Sequence, residues 1–298
     1  MTDQPPREAL PLPELGAMKR AGTKIVMITA YDHPSARLAS EAGVDLILVG
    51  DSAGNNVLGY DSTVPVSMAE TEILTAAVGR ARPRALVIGD LPFGSFQASD
   101  TEAVGNAVRL VKAGADAVKL EGAGPMVSRV RAIVDAGIPI MGHLGLTPQT
   151  ATKLGGMKAQ GRTAIAARQL LHDARQLEAA GCFALVLEAV PSQVAARVTK
   201  TLTIPTIGIG AGPACDGQVL VWHDLLGINE GVAPRFVKRY ADLAGEIRRG
   251  LTAFAAEVRS GAYPAEEHEY KIAADELRAF ETDLAAPPIP DGEVWRDW

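Results

Sequence analysis

The chain has 298 residues, 47% of them hydrophobic and 21% charged, which is the balance of an ordinary soluble globular protein with a sizeable core. A formal net charge of -6, only 5% aromatics and no Lys/Arg-rich block exclude the basic face and stacking platform of a nucleic-acid binder. No apolar run nears the ~20 residues that span a bilayer, the N-terminus has no signal-peptide core, and Cys182 and Cys215 lack CxxC spacing; a cytoplasmic protein with reduced thiols and no membrane partner is expected.

Residues 1–22 read as an N-terminal arm with a short helix around Leu12 to Arg20. TKIVMITAY is the first buried strand, and HPSARLASEAGV a helix with Asp32 or Ser35 as cap and Gly43 as stop. Leu46 to Val49 is a second strand, followed at Gly50-Asp51-Ser52 by a long loop with no period that buries a face. Ser67 and Glu70 stand at capping-box spacing ahead of SMAETEILTAAVGRA. ALVIGDLPF is the third strand, and residues 100–113 a helix that Asp100 caps and Gly114 ends.

AVKLEG, IPIMGHLGL, ALVLEAVP, IPTIGIGAG and the start of QVLVWHDLLG supply strands four to eight, separated by helices over GPMVSRVRAIVDAG, TAIAARQLLHDARQLEAAG and PSQVAARVTKTL. A Gly-rich segment, TPQTATKLGGMKAQGR, follows the fifth strand. The stretch from Pro234 to Gly261 reads as one long amphipathic helix closing the domain. The alternation predicts an α/β protein with a parallel sheet, and the count favours a closed (β/α)8 TIM barrel over an open doubly wound sheet. A single barrel uses roughly 250 residues, which assigns 23–261 to the barrel and 262–298 to a C-terminal tail. No GxGxxG follows the first strand, and GIGAGP is explained equally well by a tight turn.

Several apolar runs end in an ionisable group: Asp51, Asp90, Glu121, His143 and Glu188. Barrel enzymes build their active sites at these carboxyl ends of strands. A strand-ending Asp can simply cap the next helix, but two of them with Glu121 make a set of hard oxygen ligands that suits magnesium better than zinc. Lys119 and Glu121 are two apart and so share one face. A buried lysine is either half of an ion pair or aimed at a substrate carboxylate or keto oxygen. His143 is either structural or a substrate contact at the mouth of the fifth strand. Glu188 follows pure core residues, a setting expected to raise its pKa toward that of a general base, with a further salt bridge as the alternative. His223, between Trp222 and Asp224, is expected to be packed and hydrogen-bonded. Together these groups are equipment for chelating a 2-oxo acid, polarising its carbonyl and removing the adjacent proton.

VGDSAGNNVLGYDSTVPV, IGDLPFGSF, AVKLEG, MGHLGLTPQ, GGMKAQGR, LVLEAVP, IGIGAGPACDGQVLVWHDLLG and SGAYPAEEH resemble the ketopantoate hydroxymethyltransferase family, in order, from about Thr23 to His268. The resemblance implies a (β/α)8 barrel that transfers a one-carbon unit from 5,10-methylenetetrahydrofolate to 3-methyl-2-oxobutanoate, giving 2-dehydropantoate on the route to pantothenate and coenzyme A. It implies Asp51 and Asp90 as direct Mg2+ ligands, with Glu121 as a third carboxylate acting through water. Ser52, Asp90, Lys119 and His143 would hold the keto acid, and Glu188 would be the base. A homo-oligomer, commonly a decamer, is also implied. Met157 stands where the family commonly has an aromatic, and Ala53 and Asn55 where it has bulkier apolar residues. The rival enzyme reading is a magnesium-dependent lyase of the phosphoenolpyruvate mutase and isocitrate lyase type, whose cysteine-bearing lid motif is absent here. A barrel that has lost its catalysis is the non-enzymatic alternative.

Overall fold

The computed structural model describes residues 9–283 apart from residue 232. Eight strands, β1 (Ile25–Thr29), β2 (Leu46–Val49), β3 (Leu86–Asp90), β4 (Ala117–Glu121), β5 (Ile140–Gly145), β6 (Ala184–Glu188), β7 (Thr206–Ile209) and β8 (Gly217–Leu220), form a closed barrel in chain order. Every neighbouring pair is parallel, and β8 closes on β1 through Ile25 to Ile28. Apart from the exposed Val26 of β1 and Gln218 of β8, the strands are buried on both faces, which is why most of them read as apolar runs.

The period of two sorts each run between two cores. Ile25 and Met27, Leu46 and Leu48, Leu86 and Ile88, Ala117, Met141, Ala184 and Val186, Ile207 and Val219 pack together inside the barrel. The alternate positions, among them Ile47, Val49, Val87, Val118, Leu120, Leu185 and Leu187, face the surrounding helices. Each fully buried Leu, Ile or Val contributes about 1.5–3 kcal/mol, so a one-residue register slip is strongly opposed. One more step of two along the interior positions of β3, β4, β5 and β6 reaches Asp90, Lys119 then Glu121, His143, and Glu188. The residues that carry charge thus stack on the apolar layers at the carboxyl end.

Helices α1 (Leu12–Ala21), α2 (His33–Glu41), α3 (Ala53–Asn56), α4 (Met68–Arg80), α5 (Asp100–Ala113), α6 (Met126–Asp135), α7 (Ala164–Ala179), α8 (Ser192–Thr201) and α9 (Trp222–Leu225) lie between or beside the strands in sequence. Capping boxes form at Asp32–Ser35 and at Ser67–Glu70, as their spacing predicts. The cap of α5 is Ser99 rather than Asp100: the hydroxyl accepts from the Glu102 amide, and Asp100 instead pairs with Arg129 at 2.9 Å. The loop after β2 contains the one-turn α3, which the sequence does not announce because Gly54 and two asparagines are poor helix formers.

The chain divides into two compact units, one ending at Ala244 and the other starting at Gly245. The amphipathic helix predicted from Pro234 begins only at Leu243, as α10 (Leu243–Ser260), and none of its residues is buried. The preceding segment has its backbone bonded elsewhere: the Tyr240 amide donates to the Leu225 carbonyl at 2.8 Å and the Leu243 amide to the Leu226 carbonyl at 3.0 Å. Beyond it α11 (Ala274–Thr282) also buries nothing. The C-terminal tail thus contains a helix, while residues 284–298 of the tail and residues 1–8 of the arm fall outside the described residues. Among the described residues no helix is long and apolar enough to cross a membrane.

Candidate active site

Strand register assembles the site. Asp90 of β3 lies opposite Lys119 of β4, Glu121 of β4 opposite His143 of β5, and Gly145 of β5 opposite Glu188 of β6. Neighbours in a parallel ladder point the same way, so all of these side chains meet around one cavity of about 300 Å3, together with Asp51 and Ser52 from the β2 exit. Asp51, Asp90, Lys119, Glu121 and His143 are buried. The structure thus brings together every strand-end residue singled out above.

Each charge has a specific neighbour. Lys119 Nζ lies 2.8 Å from Asp90 Oδ1. His143 is held between two carboxylates, with Nδ1 3.2 Å from Glu121 Oε1 and Nε2 3.2 Å from Glu188 Oε2. The Asp51 amide donates to Asp90 Oδ2 at 3.3 Å, and Asp51 Oδ2 accepts from Gln149 Nε2 at 3.0 Å. The Tyr31 and Ser52 hydroxyls are 2.9 Å apart. Glu188 does not sit in the purely apolar setting that its flanking sequence suggests, since His143 is its neighbour and 15% of its side chain is exposed.

The electrostatics show too much negative charge in one place. Burial, then the Asp90 and Glu121 carboxylates, push Asp51 up to about 8 against the pull of Lys119 and Gln149. Burial also raises Asp90, although Lys119 opposes it. Glu121 goes the other way: despite burial, His143 and Lys119 lower it. Burial and Lys119 disfavour a charged His143, yet the flanking Glu121 and Glu188 hold its pKa up to about 9, so the ring is an imidazolium at neutral pH. With all four carboxylates ionised, Asp51, Asp90, Glu121 and Glu188 face two cations, Lys119 and His143, and two negative charges are left over.

Among the described residues no three His, Cys, Asp or Glu side chains form a ready ligand cage. The carboxylates are engaged by Lys119, Gln149 and His143 instead. The charge surplus nonetheless fits a divalent cation, and its donors are all hard oxygens.

Sequence reasoning missed Gln149, Tyr31 and the apolar wall of Pro234 and Phe236, all of which border or brace the cavity. Tyr31 lies two residues past the end of β1, one more step of two from Thr29. Gln149 lies in a 3-10 turn, Pro148–Thr150, that no periodicity marks. His223 is less bonded than expected: its ring centroid is 5.6 Å from that of Tyr31, and its buried Nδ1 has no hydrogen-bond partner among the described residues.

A parallel eight-stranded barrel with buried acids, a lysine and a histidine at its carboxyl mouth defines a (β/α)8-barrel enzyme. A family profile described as ketopantoate hydroxymethyltransferase matches residues 10–266. The chain belongs to this family. It is 57% identical over 266 residues to a 3-methyl-2-oxobutanoate hydroxymethyltransferase of Moorella thermoacetica, covering 89% of this chain and 99% of that one. Enzymes of the same name from Desulfotalea psychrophila and Thermotoga maritima are 55% and 54% identical, over 87% and 83% of this chain and 93% and 92% of theirs. Among solved structures, phosphonopyruvate hydrolase in complex with oxalate and Mg2+ superposes with a TM-score of 0.56 at 13% identity, covering 92% of this chain and 95% of that one. A 2,3-dimethylmalate lyase does so at 0.55 and 15%, covering 92% and 98%, which shows a shared fold.

Proposed function

We propose that the chain joins a one-carbon unit from 5,10-methylenetetrahydrofolate to C3 of 3-methyl-2-oxobutanoate. With one water consumed, the products are 2-dehydropantoate and tetrahydrofolate, on the route to pantothenate and coenzyme A. The observation that carries this reading is the charge surplus in the cavity at the carboxyl mouth of a barrel from this family. Asp51 and Asp90 would hold one Mg2+ directly, and Glu121 would act through water. When bound, the cation polarises the keto oxygen and stabilises negative charge that develops on it.

The side chains divide the remaining work. Lys119 offers a fixed positive charge to the substrate's oxygens, and its pKa is raised because the neighbouring Asp90, Glu121 and Asp51 outweigh burial. Ser52, steadied by Tyr31, supplies a hydroxyl for the keto acid. Glu188 takes the proton from C3, leaving the electron pair to delocalise onto the keto oxygen. Water cleaves both C–N bonds of the methylene bridge, releasing tetrahydrofolate and formaldehyde. C3 bonds to the formaldehyde carbon while the formaldehyde C=O pair moves to oxygen, which takes up the proton as the new hydroxyl. His143 sets the Glu188 carboxylate in place through Nε2 while Nδ1 faces Glu121. The apolar wall keeps water from the activated carbon.

The same reading makes the protein a cytoplasmic homo-oligomer, a decamer by the family resemblance. Ile247, Leu251, Phe254 and Val258 support an oligomer, since they recur at helical spacing along α10 and are each about half exposed or more. A lyase on this fold is the alternative. Folate-dependent formation of 2-dehydropantoate, measured with Mg2+ and with EDTA, tests the proposal. Product that requires both Mg2+ and folate supports it. Cleavage of a C4 hydroxy-diacid, with no one-carbon transfer, overturns it in favour of the lyase.

A further inference from the structure

We infer that Gln149 is a positioning residue that fixes the Asp51 and Glu121 carboxylates relative to one another for the divalent cation, an inference that rests on the metal reading above. Gln149 comes from the loop after β5, yet it is 4% exposed and bonded to the exits of three other strands. Its side-chain Nε2 donates to Asp51 Oδ2 and to the Leu91 carbonyl, each at 3.0 Å. Its backbone N–H donates to Glu121 Oε2 at 3.1 Å. Two acceptors facing one atom settle which end of the amide is nitrogen.

The turn that carries Gln149 is itself tied down. Thr147 and Thr150 bring their hydroxyls to 2.7 Å, the Thr150 amide donates to the Thr147 carbonyl at 3.0 Å, and the Leu146 amide donates to the Glu188 carbonyl at 2.8 Å. Gly145 makes that last approach possible: its φ is +97°, and a Cβ there would collide with the Glu188 carbonyl. One short turn therefore braces Asp51 by a side chain, Glu121 by a main-chain amide and β6 by another. Gln149 Oε1 is buried with no hydrogen-bond partner among the described residues. With Asp51 and Glu121 ionised, as metal binding requires, these carboxylates and the Leu91 carbonyl can only accept, so the donor for Oε1 has to come from another group, and water on a hydrated cation is of that kind. Glutamine suits this place where glutamate does not, because glutamate would surrender two donors and add a carboxylate to a site already too negative.

The test is Mn2+ binding by electron paramagnetic resonance on the full chain, for wild type, Gln149→Met and Gln149→Asn, with melting temperatures recorded in EDTA. Loss of a bond that orients a metal ligand weakens metal binding by about tenfold to a hundredfold. That increase in Kd is expected for Gln149→Met, with a smaller one for Gln149→Asn, which keeps an amide and decides the matter if the Met variant does not fold. An unchanged Kd in the variants, whether or not melting temperature falls, overturns the inference and leaves the metal reading standing. A wild type that binds no Mn2+ overturns both.

Discussion

The two ends of the barrel each hold a charged cluster, half-buried at the amino end and buried at the carboxyl end, and they handle charge differently. At the amino end Lys19 Nζ lies 2.8 Å from Asp216 Oδ2 and also donates to the Thr199 carbonyl at 2.9 Å. The same Asp216 oxygen accepts from the Thr206 amide at 2.8 Å and hydroxyl at 3.1 Å, and Thr206 in turn meets the Thr199 hydroxyl at 2.7 Å. One cation faces one anion and the surrounding donors are used, so the cluster is a plug. At the carboxyl end four carboxylates face two cations across a cavity. Charge that its own neighbours neutralise holds a fold together. Charge left over calls for a ligand.

The largest expected effect comes from removing one of the surplus acids. Asp51→Asn should lower kcat/KM roughly a thousandfold, since metal stabilisation of developing charge is worth several kcal/mol. The same change should raise the melting temperature of the protein in EDTA, because burial and two neighbouring carboxylates disfavour its ionised form. A variant both less active and less stable would weaken the contrast between the ends. Glu188→Gln comes next: loss of a general base costs on the order of 10²–10⁴ in rate, while calorimetry should find keto-acid binding retained in the presence of Mg2+.

The pH dependence of stability sharpens the comparison. His143 has its pKa raised from 6.5 to about 9, so the stability it adds is full below 6.5 and is lost as pH rises through about 9. Denaturant titrations of the protein in EDTA should show a decline across that window, to which Asp51, raised to about 8, also contributes, and His143→Gln should make it shallower. The smallest effect on catalysis belongs to the plug. Lys19→Met should cost about 1–3 kcal/mol of stability, discounted because the pair is partly solvated, and leave kcat unchanged.

Much of this was legible in the sequence for one reason. A parallel strand buried on both faces has no polar residue to spare, so Asp90, Lys119, Glu121 and Glu188 stand out against their runs. The period of two then puts Lys119 and Glu121 on one face. What pairs with what was not legible, because register is set across strands: that His143 sits between Glu121 and Glu188, and so gives Glu188 a charged neighbour, follows only from the ladder. Gln149 escaped because a turn has no repeat to break, and a glutamine there reads as a loop residue. The late start of α10 is not legible because Phe236, Val237, Tyr240 and Ala241 continue a helical spacing, while the long-range bonds from the Tyr240 and Leu243 amides to Leu225 and Leu226 that hold this segment leave no mark in the sequence.

Exchange of the C3 proton of 3-methyl-2-oxobutanoate in D2O, followed by NMR without folate, tests the central claim most directly. Wild-type protein should exchange it with Mg2+ and stop when EDTA is added, and neither Asp51→Asn nor Glu188→Gln should exchange it at a comparable rate. Exchange that persists undiminished in EDTA and in both variants would contradict a cation-assisted proton abstraction by Glu188 at this mouth of the barrel.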